Sequence, residues 1–317
     1  MKQQFIAWVE EYLFFPNTFQ QIISVFLLPF TLLYTLFTIF KRIMARPVDY
    51  GIPVISVGNL VVGGSGKTPM TIYLTRYKEH VAVILRGYGR ESQGLYVVSH
   101  HGHILEDVQT SGDEAMLFAQ SLPNATVIVS ENRVNAILKA KELGCKVIFL
   151  DDGFSKANIY KYDILLRPKE EPTNLFCLPS GGYREPKMMY SVANMVLQEG
   201  VDFQRVVSYK LYGENIGVLP NKLLLLTAIS KPKRLLEFLP EGVKLVAFED
   251  HHRFSNEEVR AVLRENREYS VITTPKDMVK LQGFGLKNLY LMDLELSISS
   301  NVNFDEMEKF IKNYPRF

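Results

Sequence analysis

From residue 52 onward, short apolar runs alternate with longer stretches in which polar and apolar positions mix. The apolar runs have the length of buried strands and lie at 53–57, 81–85, 126–130, 146–151 and 163–166. Stretches with helical character lie at 67–78, 113–120 and 133–143. Because Val/Ile/Leu-rich strands separated by helices are typical of a parallel sheet covered on both faces, the pattern predicts an α/β fold.

A second series of apolar runs begins after about residue 200 and predicts a second, smaller α/β domain. Its strands are expected at 222–227, 244–248, 270–274 and 288–293. The boundary between the two series falls between 186 and 218. We therefore divide the chain into an N-terminal segment (1–50), a first domain (51–200) and a second domain (201–317), whose last helix has room to pack back on the first domain.

The N-terminal segment contains a long apolar run. Residues 22–40 carry no charged side chain, and Lys41, Arg42 and Arg46 follow them closely. At about 1.5 Å per residue, a helix of this length just reaches across the roughly 30 Å hydrocarbon layer of a bilayer. Its polar residues recur at spacings of three, four and seven and form one stripe, namely Gln20, Ser24, Thr31, Thr35, Thr38 and Arg42. The pattern predicts a membrane-associated helix that either lies in the interface or spans with this stripe against protein, and a buried core helix is the alternative.

Composition narrows the class of protein. Of the 317 residues, 47% are hydrophobic, so the chain can bury a core and is not disordered as a whole. With 36 Lys and Arg against 34 Asp and Glu, it lacks the strong basic field that favours binding to nucleic acid. The two cysteines, Cys145 and Cys177, cannot build a disulfide framework, which favours a reducing, cytoplasmic compartment.

The clearest chemical motif follows the first predicted strand. Residues 54–70 read VISVGNLVVGGSGKTPM, which is a buried strand, a glycine-rich turn and the start of a helix. Glycines let backbone N–H groups approach a phosphate, and a helix N-terminus favours negative charge, so the motif predicts a P-loop for a nucleoside triphosphate. Val61 stands where the usual pattern has its first glycine, and Gly63 and Gly64 partly compensate. The expected nucleotide-binding residues are Gly63, Gly64, Ser65, Gly66, Lys67 and Thr68, with Lys67 also acting in catalysis on the β- and γ-phosphates.

A P-loop of this kind needs an acidic partner for Mg²⁺ at the end of a neighbouring strand. The run KVIFLDD at 146–152 supplies Asp151 and Asp152. Two acids directly after so apolar a strand are better explained by a metal ion than by solvation of the strand end. We therefore expect Asp151, Asp152 and the Thr68 hydroxyl to hold Mg²⁺.

Further motifs stand along the rest of the chain. In order, the chain contains FLLPFTLLY, VISVGNLVVGGSGKTP, LRGYGR, SGDEAMLFA, LDDGF, LPSGGYREP, EDHH and TTPKDMVKL. In content and order it resembles the tetraacyldisaccharide 4'-kinases, the lipid A 4'-kinases of Gram-negative bacteria. The resemblance implies ATP and Mg²⁺, a P-loop NTPase-like fold with a second α/β domain, and a location at the cytoplasmic face of the bacterial inner membrane. The implied reaction is phosphorylation of the 4'-hydroxyl of a tetraacyl glucosamine disaccharide 1-phosphate, a lipid A precursor.

The resemblance also implies roles that the pattern alone leaves open. Asp113 in SGDE and His251 in EDHH match the family's pair that accepts the hydroxyl proton, and Glu114 is a further candidate for Mg²⁺ or its waters. From the residues alone, Asp113 is equally well explained as a helix N-cap. His251 is equally well explained as a loop residue before the helix that a capping box at Ser255 begins.

Two arginines are candidates for binding anionic groups of the donor or the acceptor. Arg86 in RGYGR and Arg184 in YREP carry guanidinium groups, which bind phosphate bidentately, although ordinary ion pairs explain them equally well. The chain departs from the family pattern at 155–158, where Ser-Lys-Ala-Asn replaces Gln-His and an Arg-rich stretch. The acceptor contacts around 155–162 are therefore left unassigned.

A different class of function fits the same loop, namely a membrane-tethered P-loop NTPase that switches a protein partner. A GTPase would read guanine with [NT]-K-x-D after a strand, and TPKD at 274–277 has these letters in the wrong register. A scaffold with a vestigial loop does not explain Asp151 and Asp152. The motifs therefore favour a lipid kinase that acts at a membrane surface on a lipid A precursor, with neither nucleic acid nor an obligatory protein partner.

Overall fold

The computed structural model describes residues 2–229, 232–250, 252–286 and 288–315, and these form two sheets. The first sheet consists of β1 (Val54–Asn59), β2 (Val81–Leu85), β3 (Tyr96–His100), β4 (His103–Ile104), β5 (Thr126–Val129), β6 (Val147–Asp151), β7 (Tyr162–Arg167) and β8 (Met195–Gln198). The second sheet consists of β9 (Phe203–Leu211), β10 (Glu214–Ile216), β11 (Leu223–Thr227), β12 (Lys244–Ala247), β13 (Ser270–Thr273) and β14 (Tyr290–Ile298). Helices connect many of these strands, which confirms the predicted α/β fold.

The helices lie at the N-terminus and between the strands. The α-helices are α1 (Lys2–Phe14), α2 (Thr18–Phe26), α3 (Leu28–Ile43), α4 (Lys67–Thr75), α5 (Val108–Ser111), α6 (Asp113–Ser121), α7 (Arg133–Glu142), α8 (Asn256–Glu265), α9 (Pro275–Leu281) and α10 (Asp305–Lys312). Short 3-10 helices cover Lys187–Val192, Pro232–Phe238 and Gln282–Phe284.

The first sheet has the strand order β4-β3-β5-β2-β6-β1-β7-β8. From β5 to β8 in this order all neighbours are parallel, whereas β3 runs antiparallel to both β5 and β4. The expectation of a parallel sheet is therefore wrong at this edge, because the two-residue connection between β3 and β4 permits only a hairpin. In the middle of the sheet Val57 of β1 pairs with Asp151 of β6, so the carboxyl ends of these strands lie side by side.

The second sheet has the order β10-β9-β14-β13-β11-β12. Its four strands β12, β11, β13 and β14 are parallel, and β9 and β10 add an antiparallel edge. The pairing of β9 with β14 runs from Phe203↔Ile298 to Leu211↔Tyr290, and sequence patterns missed β9. Its sequence, FQRVVSYKL, mixes charged and apolar residues and contains no continuous apolar run. This long ribbon carries Phe203 and Leu296 into the same core as the first sheet.

The last helix, α10, packs on the first sheet. Met307 is buried in the core of that sheet, and the Phe310 ring lies 5.7 Å from the Tyr162 ring. Lys78, which follows α4, forms an ion pair of 2.6 Å with Glu308. The chain therefore returns to the first sheet after completing the second.

The N-terminal apolar run is not one straight helix. It is broken at Leu27 into α2 and α3, which meet at an angle of 61°, and Pro29 lies in the first turn of α3, where its missing N–H costs no intrahelical hydrogen bond. The expectation of a continuous helix over 22–40 is therefore wrong. Among the described residues no single helix has the length and apolar character to cross a bilayer, although α2 and α3 together satisfy both criteria as a bent pair.

Helices α2 and α3 turn their polar side toward the protein. Gln20, Ser24 and Thr31 are buried, whereas the apolar side of both helices faces outward. The outward residues, each more than half exposed, are Phe19, Ile22, Val25, Phe26, Phe30, Leu33, Phe37, Phe40 and Ile43. An exposed apolar surface of this extent is unusual for a monomeric soluble protein and marks an interaction surface.

A buried polar cluster fixes these helices to the body of the protein. Ser24 Oγ donates to the Ser180 carbonyl at 2.6 Å, and the Ser180 hydroxyl donates back to the Ser24 carbonyl at 2.8 Å. Thr31 Oγ1 bonds the Ser180 hydroxyl at 2.7 Å and accepts from the Ser180 backbone N–H at 3.0 Å. Since an unsatisfied buried polar group costs about 1–3 kcal/mol, this cluster makes the helices an integral part of the fold.

Candidate active site

The loop predicted to be a P-loop, called the P-loop below (residues 60–66), joins the end of β1 to the start of α4. Gly66 is the N-cap residue of α4 and has φ of +82°, a left-handed conformation that favours glycine. The next residue, Lys67, opens the helix, so the backbone N–H groups of the first helical turn point toward the loop. The six residues expected to bind nucleotide all line one large cavity.

Four polar side chains meet where β1 ends. Lys67 Nζ donates to Asn59 Oδ1 at 3.0 Å and lies 3.8 Å from Asp152 Oδ1. Arg184 binds Asp152 with both Nη atoms, at 2.8 and 2.9 Å, and its Nη2 also donates to the Asn59 carbonyl at 2.9 Å. The structure thus brings the predicted residues Lys67, Asp152 and Arg184 together, and it places Arg184 against Asp152.

Asp152 is held as a carboxylate. Burial by itself would raise its pKa, but hydrogen bonds from Arg184 and the positive charges of Lys67, Arg184 and Arg133 lower the pKa to about 2. Its backbone has φ of +54°, which is uncommon for a residue with a side chain and turns the chain sharply after β6. The structure therefore keeps a fixed negative charge beside the P-loop lysine.

The pKa of the neighbouring Asp151 is shifted in the opposite direction, upward. It is buried and its Oδ1 accepts a hydrogen bond of 3.3 Å from Thr71 of α4. Burial, together with the nearby negative charges of Glu114 and Asp152, raises its pKa to about 7 despite the opposing charge of Lys67. Three carboxyl groups with one of them this reluctant to ionise make a place where a cation is favourable.

Glu114 and Asp113 lie at the start of α6. The N-cap residue of α6 is Gly112, so Asp113 is the first helical residue and the N-cap explanation of Asp113 is wrong. Asp113 is buried, and its Oδ2 lies 3.8 Å from Lys276 Nζ and 3.6 Å from Lys280 Nζ, both on α9 of the second sheet. Lys276 Nζ also lies 3.5 Å from Glu114 Oε1.

His251, the predicted partner of Asp113, lies outside the described residues. Its neighbour Asp250 is described and lines the cavity, with its Oδ1 at 3.9 Å from Lys276 Nζ. The pairing of Asp113 with His251 therefore stays a prediction.

The cavity between the two sheets is large, with a volume of about 1560 Å³. Its wall includes the P-loop, Glu114, Asp151 and Asp152 from the first sheet, and Thr274 and Lys276 from the second. Arg86, Arg184 and the loop residues Ser155 and Lys156 also line it, as do Glu10 and Phe14 of α1. Ligand pockets are usually about 300–1,000 Å³, so this space is larger than a single small ligand requires.

Comparisons with known proteins give the site its context. The model of a family described as tetraacyldisaccharide-1-P 4'-kinase matches residues 23–313. The chain is also 60% identical to the tetraacyldisaccharide 4'-kinase of Aliarcobacter butzleri over 314 residues, which are 99% of this chain and 100% of that protein. The chain belongs to the tetraacyldisaccharide-1-P 4'-kinase family. The resemblance inferred from its motifs is confirmed.

More distant members of the family agree. The tetraacyldisaccharide 4'-kinase of Helicobacter pylori (strain ATCC 700392 / 26695) is 43% identical over 309 residues, 97% of this chain and 96% of that protein. A crystal structure of "apo" form LpxK from Aquifex aeolicus in complex with ATP superposes with a TM-score of 0.73 at 28% identity, covering 92% of this chain and 99% of that chain. The fold of this tetraacyldisaccharide-1-P 4'-kinase family member is therefore shared across relatives of low sequence identity.

Two arginine side chains lie at the site of this family member although sequence patterns did not single them out. Arg133 is buried at the start of α7, where burial and the nearby Arg86 lower its pKa to about 10 although Asp151 and Asp152 oppose the shift. Arg205 of β9 donates to the carbonyl of Gly64 at 3.2 Å. Asn132, the N-cap residue of α7, marks where the helix of Arg133 begins, but no sequence pattern connects Arg133 or Arg205 to the P-loop.

We predict that Asp151 makes stability pH-dependent in the metal-free protein. A carboxyl with a folded-state pKa of about 7 binds more protons in the folded than in the unfolded state between about pH 4 and 7, so the free energy of unfolding falls as pH rises through that interval. Urea unfolding in EDTA at pH 4–8 should show a decline of roughly 2–4 kcal/mol that Asp151→Asn removes. A decline of the same size in wild type and Asp151→Asn would contradict the assignment.

Proposed function

We propose that this protein is an ATP-dependent kinase that phosphorylates the 4'-hydroxyl of a tetraacyl glucosamine disaccharide 1-phosphate and yields the bisphosphorylated lipid. The observation that carries the proposal is the P-loop with Lys67 on the floor of a cavity that both sheets line. Membership of the tetraacyldisaccharide-1-P 4'-kinase family over residues 23–313 supports the choice of acceptor. Of the substrates, ATP is supported by the Aquifex aeolicus relative, whose crystal structure is a complex with ATP.

The donor triphosphate would bind at the start of α4. Backbone N–H groups of the P-loop and the first turn of α4 would bind the phosphates, and Lys67 would neutralise charge on the β- and γ-phosphates as the bond breaks. Two residues hold Lys67 in this position. Asn59 Oδ1 accepts a hydrogen bond from its ammonium group, and the Asp152 carboxylate lies 3.8 Å from it. Phosphoryl transfer gains mostly from positioning and charge neutralisation, and this cluster supplies both.

The donor set beside the P-loop fits Mg²⁺. It contains only hard oxygen ligands, namely the Thr68 hydroxyl, Asp151, Asp152 and Glu114, and the raised pKa of buried Asp151 supports a positive charge there. Within the described ranges no group of three His, Cys, Asp or Glu side chains is arranged to hold a metal alone. Mg²⁺ in kinases commonly binds through one or two carboxylates plus water and substrate phosphates. We therefore assign Thr68 and Asp151 to Mg²⁺, with Asp152 and Glu114 beside them; the ion would supply positive charge that offsets the negative charge of the phosphates.

The acceptor hydroxyl would enter from the side of α6, where Glu114 lines the cavity and the adjacent Asp113 is buried just outside the lining. Asp113 is the first residue of α6, and its carboxylate lies near two lysines of α9, Lys276 and Lys280. These two contacts fix the orientation of the carboxylate. We assign to Asp113, together with His251, the acceptance of the hydroxyl proton, as the family motifs imply. Arg86 lies exposed in the cavity wall, where it can contact a phosphate oxygen of either substrate.

The N-terminal helices would place this cavity at a membrane surface. The outward face of α2 and α3 is apolar, while their polar side is bonded to the protein, which is the arrangement expected of helices that lie against lipid. Lys41 and Arg46 follow this face and are exposed, as required for contact with anionic headgroups. Because ATP is a cytoplasmic substrate, we place the protein at the cytoplasmic face of the inner membrane.

The competing function, a nucleotide-dependent switch, has no support at the position that would read guanine. Asp277 is fully buried and accepts hydrogen bonds from Thr227 Oγ1 at 2.6 Å and Thr274 Oγ1 at 2.9 Å. It also accepts from the Ala228 backbone N–H at 3.1 Å. This carboxylate therefore ties α9 to β11 and is not available to a base.

The direct test supplies ATP, Mg²⁺ and detergent-dispersed tetraacyl disaccharide 1-phosphate and measures the bisphosphorylated lipid by mass spectrometry. We predict turnover by the wild type and a loss of about 10²–10³-fold in kcat for Lys67→Ala, because that lysine neutralises charge in the transition state. Lys78→Ala, a substitution three residues past the end of α4, is the control. ATP hydrolysis without a lipid product, or an active and folded Lys67→Ala, would refute the proposed function.

We predict that Phe30→Gln with Phe37→Gln weakens binding to phospholipid vesicles by more than about tenfold. Each exposed aromatic side chain buried in lipid contributes roughly 1.5–3 kcal/mol. Activity on detergent-dispersed acceptor should stay at the wild-type level, since neither residue lines the cavity. Face substitutions are preferred to deletion of residues 1–42, which would strip the Ser180 cluster of its partners.

The matched control for this measurement replaces two large side chains that are at least as exposed, Tyr212→Gln in the turn after β9 and Val218→Gln in the loop after β10. Vesicle sedimentation of all three proteins gives the comparison. Equal binding by the wild type and the Phe30, Phe37 double variant would show that α2 and α3 do not contact lipid.

A further inference from the structure

Helix α9 of the second sheet packs against α6 of the first and presents two lysines to it. Lys276 and Lys280 are four residues apart, so they lie one turn from each other on the same side of α9. Gln282, which follows α9, bonds Gln120 of α6 at 3.1 Å and continues the contact. The contact between the two helices therefore places the ammonium groups of α9 beside the acidic residues that begin α6.

Lys280 contacts three separate segments at once. Its Nζ lies 3.0 Å from Asp277 Oδ1 on its own helix and 3.6 Å from Asp113 Oδ2 on α6. The same Nζ donates to the backbone carbonyl of His252 at 3.3 Å. Only 7% of the Lys280 side chain is exposed, and its Nζ lies 5.6 Å from the centre of the Phe254 ring. A buried ammonium group with contacts on three sides has little freedom to move.

Lys276 has a different position. It lines the cavity and is shared among Glu114, Asp113 and Asp250, at 3.5, 3.8 and 3.9 Å. Its side chain is 19% exposed, so it faces the space where substrate binds. Lys280 is not among the residues that line the cavity and meets the buried Asp113 carboxylate in the contact between α9 and α6.

His252 lies in the loop after β12 of the second sheet, whereas Asp113 lies on α6, which packs on the first sheet, and Lys280 binds both. The orientation of a group that accepts a proton matters greatly, because a misplacement of about 1 Å can cost about 10²-fold in rate. Asp277 in turn is fixed by Thr227, Ala228 and Thr274, so Lys280 is anchored to a rigid part of the second sheet. The chain of contacts thus runs from the core of the second sheet to Asp113.

We propose that Lys280 is a positioning residue for phosphoryl transfer, which holds the Asp113 carboxylate against the backbone at His252 by binding Asp113, Asp277 and the His252 carbonyl together. The inference rests on the proposed role of Asp113 in accepting the hydroxyl proton. It assigns Lys280 no contact with substrate, so its loss affects the rate of transfer and not the binding of ATP or lipid.

The first test compares Lys280→Met with Lys78→Met. Both substitutions remove a lysine that joins two parts of the chain by an ion pair, but the Lys78–Glu308 pair lies outside the cavity lining. With activity expressed per folded molecule, Lys280→Met should lower kcat about 10–100-fold and leave KM for ATP and for the lipid within about twofold. Lys280→Arg, which keeps the charge, should retain more of kcat than Lys280→Met, and Lys78→Met should keep the wild-type rate.

The second test places Lys280→Met in an Asp113→Asn background. If Lys280 acts through Asp113, it should cost little more once the carboxylate is gone, because coupled residues are non-additive. An equal loss of kcat from Lys280→Met in both backgrounds, or a rise in KM with an unchanged kcat, would overturn the proposal. A wild-type rate for Asp113→Asn alone would refute the role of Asp113 as the proton acceptor. That result would overturn the positioning role of Lys280 as well, and the single variant distinguishes it from the other outcomes.

Lys280→Gln is measured in parallel and replaces Lys280→Met if that variant fails to fold. Glutamine retains a donor for the His252 carbonyl and fills a similar volume. Since Gln lacks the charge that binds Asp113, its kcat should also lie well below that of Lys280→Arg. A kcat for folded Lys280→Gln equal to the wild-type value would overturn the proposal.

Discussion

The structure depends on one segment, residues 177–185, which is bonded to the N-terminal helices on one side and to the P-loop on the other. Ser180 binds α2 and α3, and the Tyr34 hydroxyl donates to the Arg184 carbonyl at 2.9 Å. On the other side the Arg184 backbone N–H donates to the Leu60 carbonyl at 2.7 Å, while its guanidinium binds Asp152. The apolar face that we assign to the membrane and the loop that we assign to ATP are therefore parts of one rigid unit. This connection would hold the nucleotide loop at a fixed distance from the apolar face.

Two adjacent carboxyl groups acquire different chemistry from this arrangement. Asp152 receives the guanidinium of Arg184 and has a pKa of about 2, whereas buried Asp151 faces other acids and has a pKa of about 7. Pairs whose environments push their pKa values apart commonly have separate roles. Asp152 binds Arg184 and faces Lys67, and Asp151 is the carboxyl group that we propose as a ligand of Mg²⁺.

Sequence patterns revealed the parts of the fold that depend on local information. Apolar runs marked the central strands, and the glycine spacing before Lys67 marked the P-loop, since both signals lie within a few consecutive residues. Strand β9 was missed because its half-buried residues alternate with charges. The break at Leu27 was missed although Pro29, in the first turn of α3, is a helix-start signal within the apolar run. The bond from Arg184 to Asp152 joins residues 32 positions apart, and Lys280 meets Asp113 across two sheets. Such contacts arise from topology, which no single-sequence motif specifies.

The central claim is that the triphosphate binds on the floor that the P-loop and residues 182–185 form together. Amide hydrogen exchange with and without a non-hydrolysable ATP analogue and Mg²⁺ tests it most directly. The structure predicts slower exchange at 63–68, where N–H groups would bind phosphate, and at 182–185, whose backbone bonds the loop through Leu60 and Val62. Unchanged exchange at 63–68, with protection confined to another part of the chain, would contradict the claim.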